Sequence, residues 1–361
     1  MPFTAFTAVT TSTASHPAGA PRLRRPALVS LLGLACLAGP LQAQETTRVR
    51  MALDWVLQGP QAPFLMQVEN GCFRKAGLEV PIDRGFGSGD TVVKVGAGTY
   101  DVGFADINAM MEYNAKQTNP DDRLVSFMMI YDGAALSIVT RRDTGIAKPA
   151  DLVGKTIAAP PGDASRRLFP AFAKVNGIDP ASVKWMNVAP ELRETMLARK
   201  NADAIAGASF TAYMGSQAVG IPAKDLVVMR YSEFGSALYG SALFAKRSYL
   251  DSHKEALKGL TRCVVEGIQK STQDPDAAIA ALHKRDPLIN RAIEKERLQL
   301  SLDWSIVTPW VRENGLGDID PKRMERAIQE TALAFDIPAP RAADVFTAEL
   351  LPAASLRQVR K

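Results

Sequence analysis

Between residues 48 and 111, short apolar runs alternate with longer helical ones, and this alternation constrains the chain more than any other feature. The stretch opens Arg48-Val-Arg-Met-Ala-Leu-Asp-Trp55 and continues Pro63-Phe-Leu-Met-Gln-Val-Glu-Asn-Gly71-Cys-Phe-Arg-Lys-Ala-Gly77-Leu-Glu-Val80. Gly85-Phe-Gly-Ser-Gly-Asp90 and Gly98-Thr-Tyr-Asp-Val-Gly-Phe-Ala-Asp106 complete it. Strands alternating with helices at this spacing imply parallel sheets covered by helices. Asp, Trp, Gly and Ser stand at the strand ends, where open α/β sheets bind their ligands. The pattern points to a binding cleft.

Strands are predicted at residues 49–53, 79–84, 102–105 and 124–130, with helices at 63–76, 90–97 and 107–117. Pro63 in the first turn and Gly77 at the stop frame the first helix. A strand at 137–141 leaves this set. The pattern restarts at Lys148-Pro-Ala-Asp-Leu-Val-Gly-Lys-Thr-Ile157. Helices at 166–176, 191–200 and 210–219 then alternate with strands at 183–188, 204–208 and 226–230. A returning strand at 241–245 is followed by helices only, at 251–271, 275–283, 287–299, 302–314 and 321–331. Residues 44–135 with 240–361 are expected to form a discontinuous lobe 1, and 136–239 a lobe 2.

Residues 1–43 read as a secretory signal. They hold no acid, three arginines (Arg22, Arg24, Arg25), an apolar run at 27–38 and Gly39-Pro40-Leu41-Gln42-Ala43. This is the order of charged region, apolar core and small-residue cleavage site, with a core too short for a membrane span. Cleavage is expected after Ala43. Pro26 weakens a twin-arginine reading, and Gly33 stands where a lipobox ending at Cys36 wants Leu. Subtracting the three leader arginines from 43 basic residues leaves 40 against 38 acids, a mature charge near +2. No basic stripe interleaves with aromatics, which argues against nucleic acid as a partner.

Beyond the leader, Cys72 and Cys263 remain, 191 positions apart and each in an apolar helical pattern; they could pair in an oxidising compartment, but two buried free thiols are the favoured expectation. His253 and His283 fall in separate helical segments without a ligand at metal spacing. No metal or cofactor is expected.

At Ala52-Leu-Asp-Trp55, Glu69-Asn-Gly-Cys-Phe-Arg-Lys-Ala-Gly77-Leu-Glu-Val80, Gly87-Ser-Gly-Asp90, Asp101-Val-Gly-Phe-Ala-Asp106 and the Lys148 segment, the chain resembles the periplasmic substrate-binding proteins of ABC importers. It is most similar to the branch holding thiamine-pyrimidine, sulfonate, taurine and nitrate binders. The resemblance spans residues 48–335. It implies an α/β fold of two lobes, the type II-like periplasmic binding protein layout, with mostly parallel sheets and a helical C-terminal tail. It also implies an exported monomer that captures a small solute by hinge closure. Trp55, Tyr131 and Tyr213 suit a small nitrogen heterocycle, and Arg166 with the helix N-termini suits an organic anion such as a sulfonate or aromatic carboxylate. An inner-membrane permease with its ATPase would take the solute up. One departure stands out: pyrimidine-binding members carry Asn and His after Leu-Asp-Trp, whereas this chain has Val56-Leu-Gln-Gly-Pro-Gln-Ala62. The enzyme alternative within the family, a pyrimidine synthase, needs a cysteine-rich iron site and a histidine. This sequence offers neither near a strand end.

Candidate ligand contacts follow from position at strand ends. Trp55 offers a ring for stacking, or a cap on the lobe core. Gln58 and Gln61 offer hydrogen bonds, or sit solvated in a loop. In the glycine turn Asp90 reads as a helix N-cap, with Ser88 and the Gly89 N–H facing the cleft. Asp106 and Asn108 follow the third strand, and Asp106 suits a cap on the next helix equally well. In lobe 2, Asp163, Ser165 and Arg166 enter a helix suited to an anionic oxygen. Arg167 reads as solvated. Ser209 and Tyr213 close the far side. Tyr131, Asp132 and Glu233 lie at the crossings, as hinge residues or ligand contacts.

Overall fold

The computed structural model describes residues 46–359, so the expected signal and its cleavage point lie outside the described residues. Two five-stranded sheets organise the chain. The strands of the first are β1 (Met51–Ala52), β2 (Ile82–Asp83), β3 (Val102–Asp106) and β4 (Leu124–Met129). Those of the second are β5 (Leu136–Arg141), β6 (Thr156–Ala159), β7 (Lys184–Asn187), β8 (Ala204–Ala208) and β9 (Leu226–Arg230). A last strand, β10 (Ser241–Lys246), returns to the first sheet. The orders are β2-β1-β3-β10-β4 and β9-β5-β8-β6-β7.

Each sheet is parallel except for one strand. β10 runs antiparallel to β3 and β4, and β5 antiparallel to β8 and β9. These reversed strands, β5 and β10, are the two that follow a crossing between sheets. The chain passes from the first sheet to the second over residues 129–136 and back over 230–241. The fold is a two-sheet α/β architecture with helices covering both sheets.

The cores form where the apolar periodicity places them. Met51, Phe104 and Phe127 are buried on the first sheet, and Ile138, Ile157 and Phe172 on the second. The ring of Tyr231 stacks on Phe172 with centroids 4.1 Å apart. In the Lys254–Gln273 helix, Leu257, Leu260, Val264 and Ile268 recur on one face and are fully buried in the first core. Among the described residues no helix is long and apolar enough to cross a membrane.

Three local expectations are corrected. The helix expected over 63–76 is two, Ala62–Glu69 and Cys72–Lys75, because Gly71 adopts a left-handed φ of 75° between them. The second strand is interrupted at Pro81, which has no N–H to donate. Leu78–Glu79 pairs with Thr47–Arg48, and only Ile82–Asp83 joins the main sheet. The helix expected from residue 287 starts at Arg291, where the Asn290 side chain caps the N–H groups of Ala292 and Ile293.

The cysteines are not free thiols. Cys72 and Cys263 form a disulfide with Cα atoms 5.8 Å apart, tying the Cys72–Lys75 helix to the Lys254–Gln273 helix. Sequence distance hid this pairing, since contacts across 191 residues leave no local pattern.

Candidate ligand-binding site

The carboxyl ends of β1 and β3 face those of β6 and β8 across a cavity of ≈ 60 Å³. The β1 side is built by a backbone clasp. The Gly87 N–H donates to the Asp54 carbonyl at 2.7 Å, and the Gly85 N–H to the Trp55 carbonyl at 3.0 Å. A Cβ at Gly85 would lie 2.6 Å from the Asp54 carbonyl carbon, so glycine is needed for this approach. Asp54 and Trp55 are thereby held at the cavity wall.

Three carboxyl groups meet there: Asp54, Asp106 and Asp163. The β3–β10 register sets Ser241 opposite Asp106, and the Ser241 hydroxyl donates to Asp54 at 3.1 Å. Asp106 caps the Ile107–Asn114 helix, accepting from the N–H groups of Asn108 (2.9 Å) and Ala109 (3.3 Å). Asp163 caps the Ala164–Arg167 helix through the N–H groups of Ser165 (2.8 Å) and Arg166 (3.2 Å). Burial disfavours the charged form of all three. It pushes Asp54 up to about 7, with the charges of Asp106 and Asp163 adding to the rise and the Ser241 bond opposing it. Burial likewise raises Asp106 to about 6 against its capping bonds, and Asp163 to about 6 against the nearby Arg193 charge.

One guanidinium faces this cluster. Arg193, 1% exposed, enters from the Arg193–Ala198 helix and fills the space over Gly207, where any Cβ would overlap it. Most of its donors are engaged. They go to Glu194 at 2.5 and 3.0 Å, to the Ala206 carbonyl at 3.3 Å and to Asp163 at 3.5 Å. The guanidinium also lies 4.6 Å from the centre of the Trp55 ring. Tyr131 supplies an apolar wall, edge-on to Phe104 and Phe210. Burial and the Asp54 charge hold its hydroxyl well above the usual tyrosine range.

Of the residues singled out from the sequence, Trp55, Gln61, Ser88, Asp106, Tyr131, Asp163 and Ser165 line this cavity. Others lie elsewhere. Gln58 is at an outer mouth on the far side of Trp55, its N–H bonded to the Gln61 side chain. The Gly89 N–H donates to the Gly162 carbonyl at 3.0 Å. Asn108 is spent on Asp106, the Tyr239 carbonyl and Thr331. Arg166 turns outward to the Ala159 carbonyl and Asn187, its guanidinium 4.9 Å from the Trp185 ring. Ser209 bonds the Ala135 carbonyl through its N–H, Tyr213 packs near Trp304, and Glu233 pairs with Arg230. Asp132 binds Arg323 instead of lining the cavity. Asp90 is not the cap: Gly87 occupies that position, and Asp90 pairs with Lys94 at 2.7 Å. Arg167 is not solvated but paired with Glu112, from the β6 side to the β3 side.

Sequence reasoning missed Asp54, Arg193, Phe210, Thr211 and Ser241. Asp54 carried a usable signal, since it precedes Trp55 at the same strand end. Arg193 carried none.

The two sheets facing one cleft, joined by two crossings, define this molecule as having the periplasmic binding protein fold. A protein of Bordetella bronchiseptica RB50 has the same fold (TM-score 0.70, 20% identity, 85% of this chain and 96% of that one covered). So does the alkanesulfonate-binding protein SsuA of Xanthomonas axonopodis pv. citri, solved with MOPS bound (TM-score 0.64, 13% identity, 85% and 98% covered). The family model described as NMT1/THI5 like matches residues 59–278, and the chain belongs to that family. A curated relative, the formylaminopyrimidine-binding protein of Halalkalibacterium halodurans, is 23% identical over 270 residues, 73% of this chain and 78% of that protein.

Proposed function

We propose that this chain is the exported solute-binding component of an ABC importer, and that its solute is a small nitrogen heterocycle bearing N–H donors, such as an aminopyrimidine. The observation that carries the ligand class is the charge of the cavity. Asp54, Asp106 and Asp163 line it, while Arg193, the guanidinium at the wall, is already bonded to Glu194, Asp163 and a carbonyl. An anion entering would meet three carboxyl groups and a guanidinium whose charge Glu194 and Asp163 already share. A ring with amino groups would donate to them and stack on Trp55 or Tyr131. Arg166, the residue suited to an anion, points away. These features disfavour an organic anion as the solute.

In this reading the solute enters between open lobes, contacts from both sheets favour the closed state, and the closed monomer docks on a membrane permease with its ATPase in the periplasm. The role is capture, not catalysis. The Ser88 hydroxyl accepts the Asp106 N–H at 3.1 Å, and neither His253 nor His283 lines the cavity.

The experiment is a thermal-shift and calorimetric comparison of aminopyrimidines with alkyl sulfonates, taurine and nitrate. An aminopyrimidine at a hundred times its dissociation constant should stabilise by about 2.7 kcal/mol. Stabilisation by sulfonate or nitrate with silence from every aminopyrimidine would overturn the assignment.

A further inference from the structure

The two crossings between sheets are held by a helix that comes from neither crossing. Asp132, 3% exposed, lies on the first crossing. Its carboxylate accepts from the Thr308 hydroxyl at 2.5 Å and from Arg323 Nη1 at 3.1 Å. Arg323 sits in the first turn of the Pro321–Phe335 helix of the tail. Its Nη2 donates to the carbonyl of Asp132 at 2.6 Å and to that of Leu238, on the second crossing, at 3.1 Å. Its Nε donates to the Ala237 carbonyl at 3.4 Å, and its guanidinium lies 4.0 Å from the centre of the Tyr239 ring. Two turns further on, Glu330 accepts the Ala237 N–H at 2.8 Å.

The same helix bridges the two sides. It packs against the Ile107–Asn114 helix of the first sheet and the Phe169–Val175 helix of the second. Phe335, at its end, joins the core of the second sheet. A planar guanidinium bonded to acceptors on both crossings fixes their relative position in a way a point charge does not. Closure is rotation about such segments, so whatever bonds them together biases the angle.

We propose that Arg323 is a positioning residue for lobe closure: by clamping Asp132 and the carbonyls of residues 237 and 238 in the arrangement seen here, it favours the closed state and raises ligand affinity without touching the cavity. This rests on the capture-by-closure reading above. Loss of the clamp should move population toward open forms and speed ligand release.

The test places spin labels at two exposed positions, Val93→Cys on the first side and Val153→Cys on the second, and reads their separation by pulsed electron resonance. Distances are taken with and without 4-amino-2-methylpyrimidine as probe, in the labelled parent and in Arg323→Met and Arg323→Lys versions. Arg323→Met should lengthen the distances relative to the parent and weaken probe binding about tenfold, chiefly through faster dissociation. Arg323→Lys, which keeps the charge but not the fork, should fall between. Parent-like distances in both states for both variants, each unfolding cooperatively, would overturn the proposal. Should Arg323→Met not fold, Arg323→Lys alone decides by the same criterion. If the parent fails to bind the probe, the proposed ligand class fails, while the ligand-free distances still judge Arg323.

Discussion

The guanidinium of Arg193 lies 4.6 Å from the centre of the Trp55 ring, so a cation from the second sheet's side braces an aromatic from the first. Arg193 also neutralises part of the buried acid around it, at Asp163 and Glu194. Replacing it with Met leaves those carboxylates without their cation, and breaking a buried pair in this way costs about 3–5 kcal/mol. The lower end is expected, because Asp163 already sits near a pKa of about 6 and can take up a proton. Urea unfolding of Arg193→Met checks this. A midpoint equal to that of the parent would show the pair to be energetically idle.

The three cavity carboxyls set a pH dependence whose sign follows from their shifts. Asp54 titrates at about 7 and Asp106 and Asp163 at about 6, all above the ordinary value of 3.8. The native state therefore holds more protons than the unfolded state through this range. Stability from these groups is fully present below the unfolded pKa and is lost as pH rises through 6 to 7. Glu112 and Glu191 are shifted down, and their contribution is lost only at more acid pH. The ligand-free protein should thus weaken between pH 5 and 8, by on the order of a few kcal/mol. Asp54→Asn should flatten the slope at its upper end. Denaturation midpoints across that range test both statements, and a midpoint that climbs with pH would contradict them.

Where the sequence was legible, local chemistry set the outcome. β8 and β9 match their expected spans because apolar runs bounded by turns report strands directly. Asp106 is the helix cap that its position after β3 allows, and it also lines the cavity. Arg166 and Arg193 show the limit. Both lie at the start of a helix in the second lobe, and the sequence favoured Arg166 for its place after a glycine turn. What decides between them is nonlocal: Asn187 and Trp185 draw Arg166 outward, while Gly207 leaves the space Arg193 occupies. Periodicity names the face a residue stands on. It does not name the residue waiting across from it.

The disulfide makes a direct stability claim. Cys72 and Cys263 close a loop across 191 positions and join two helices packed on the first sheet. Reduction, or the double variant Cys72→Ser with Cys263→Ser, should cost about 2–4 kcal/mol. Thiol counting in denaturant on unreduced protein checks the bond itself, where any titratable thiol from this pair would refute it. The expected loss then appears as a lower unfolding midpoint with reductant present.

Glycines bring the backbones of the two sides into direct contact. A Cβ built on Gly87, whose φ is 118°, would lie 2.5 Å from the carbonyl carbon and oxygen of Gly162. Two positions on, the Gly89 N–H donates to that same carbonyl at 3.0 Å. Gly87→Ala should therefore block full closure and weaken aminopyrimidine binding about tenfold or more. The φ also strains the backbone whether the lobes are open or closed, so the variant should lose some stability without ligand, by about 1 kcal/mol. Gly162→Ala separates the two effects, because a Cβ there meets its nearest neighbour, the Asp90 nitrogen, at 3.4 Å. Calorimetric titration of both variants, with unfolding measured ligand-free, gives the comparison. Affinity lost at Gly87 and kept at Gly162 would tie binding to this contact. Equal affinity in both would mean that the solute is held without bringing the glycines together.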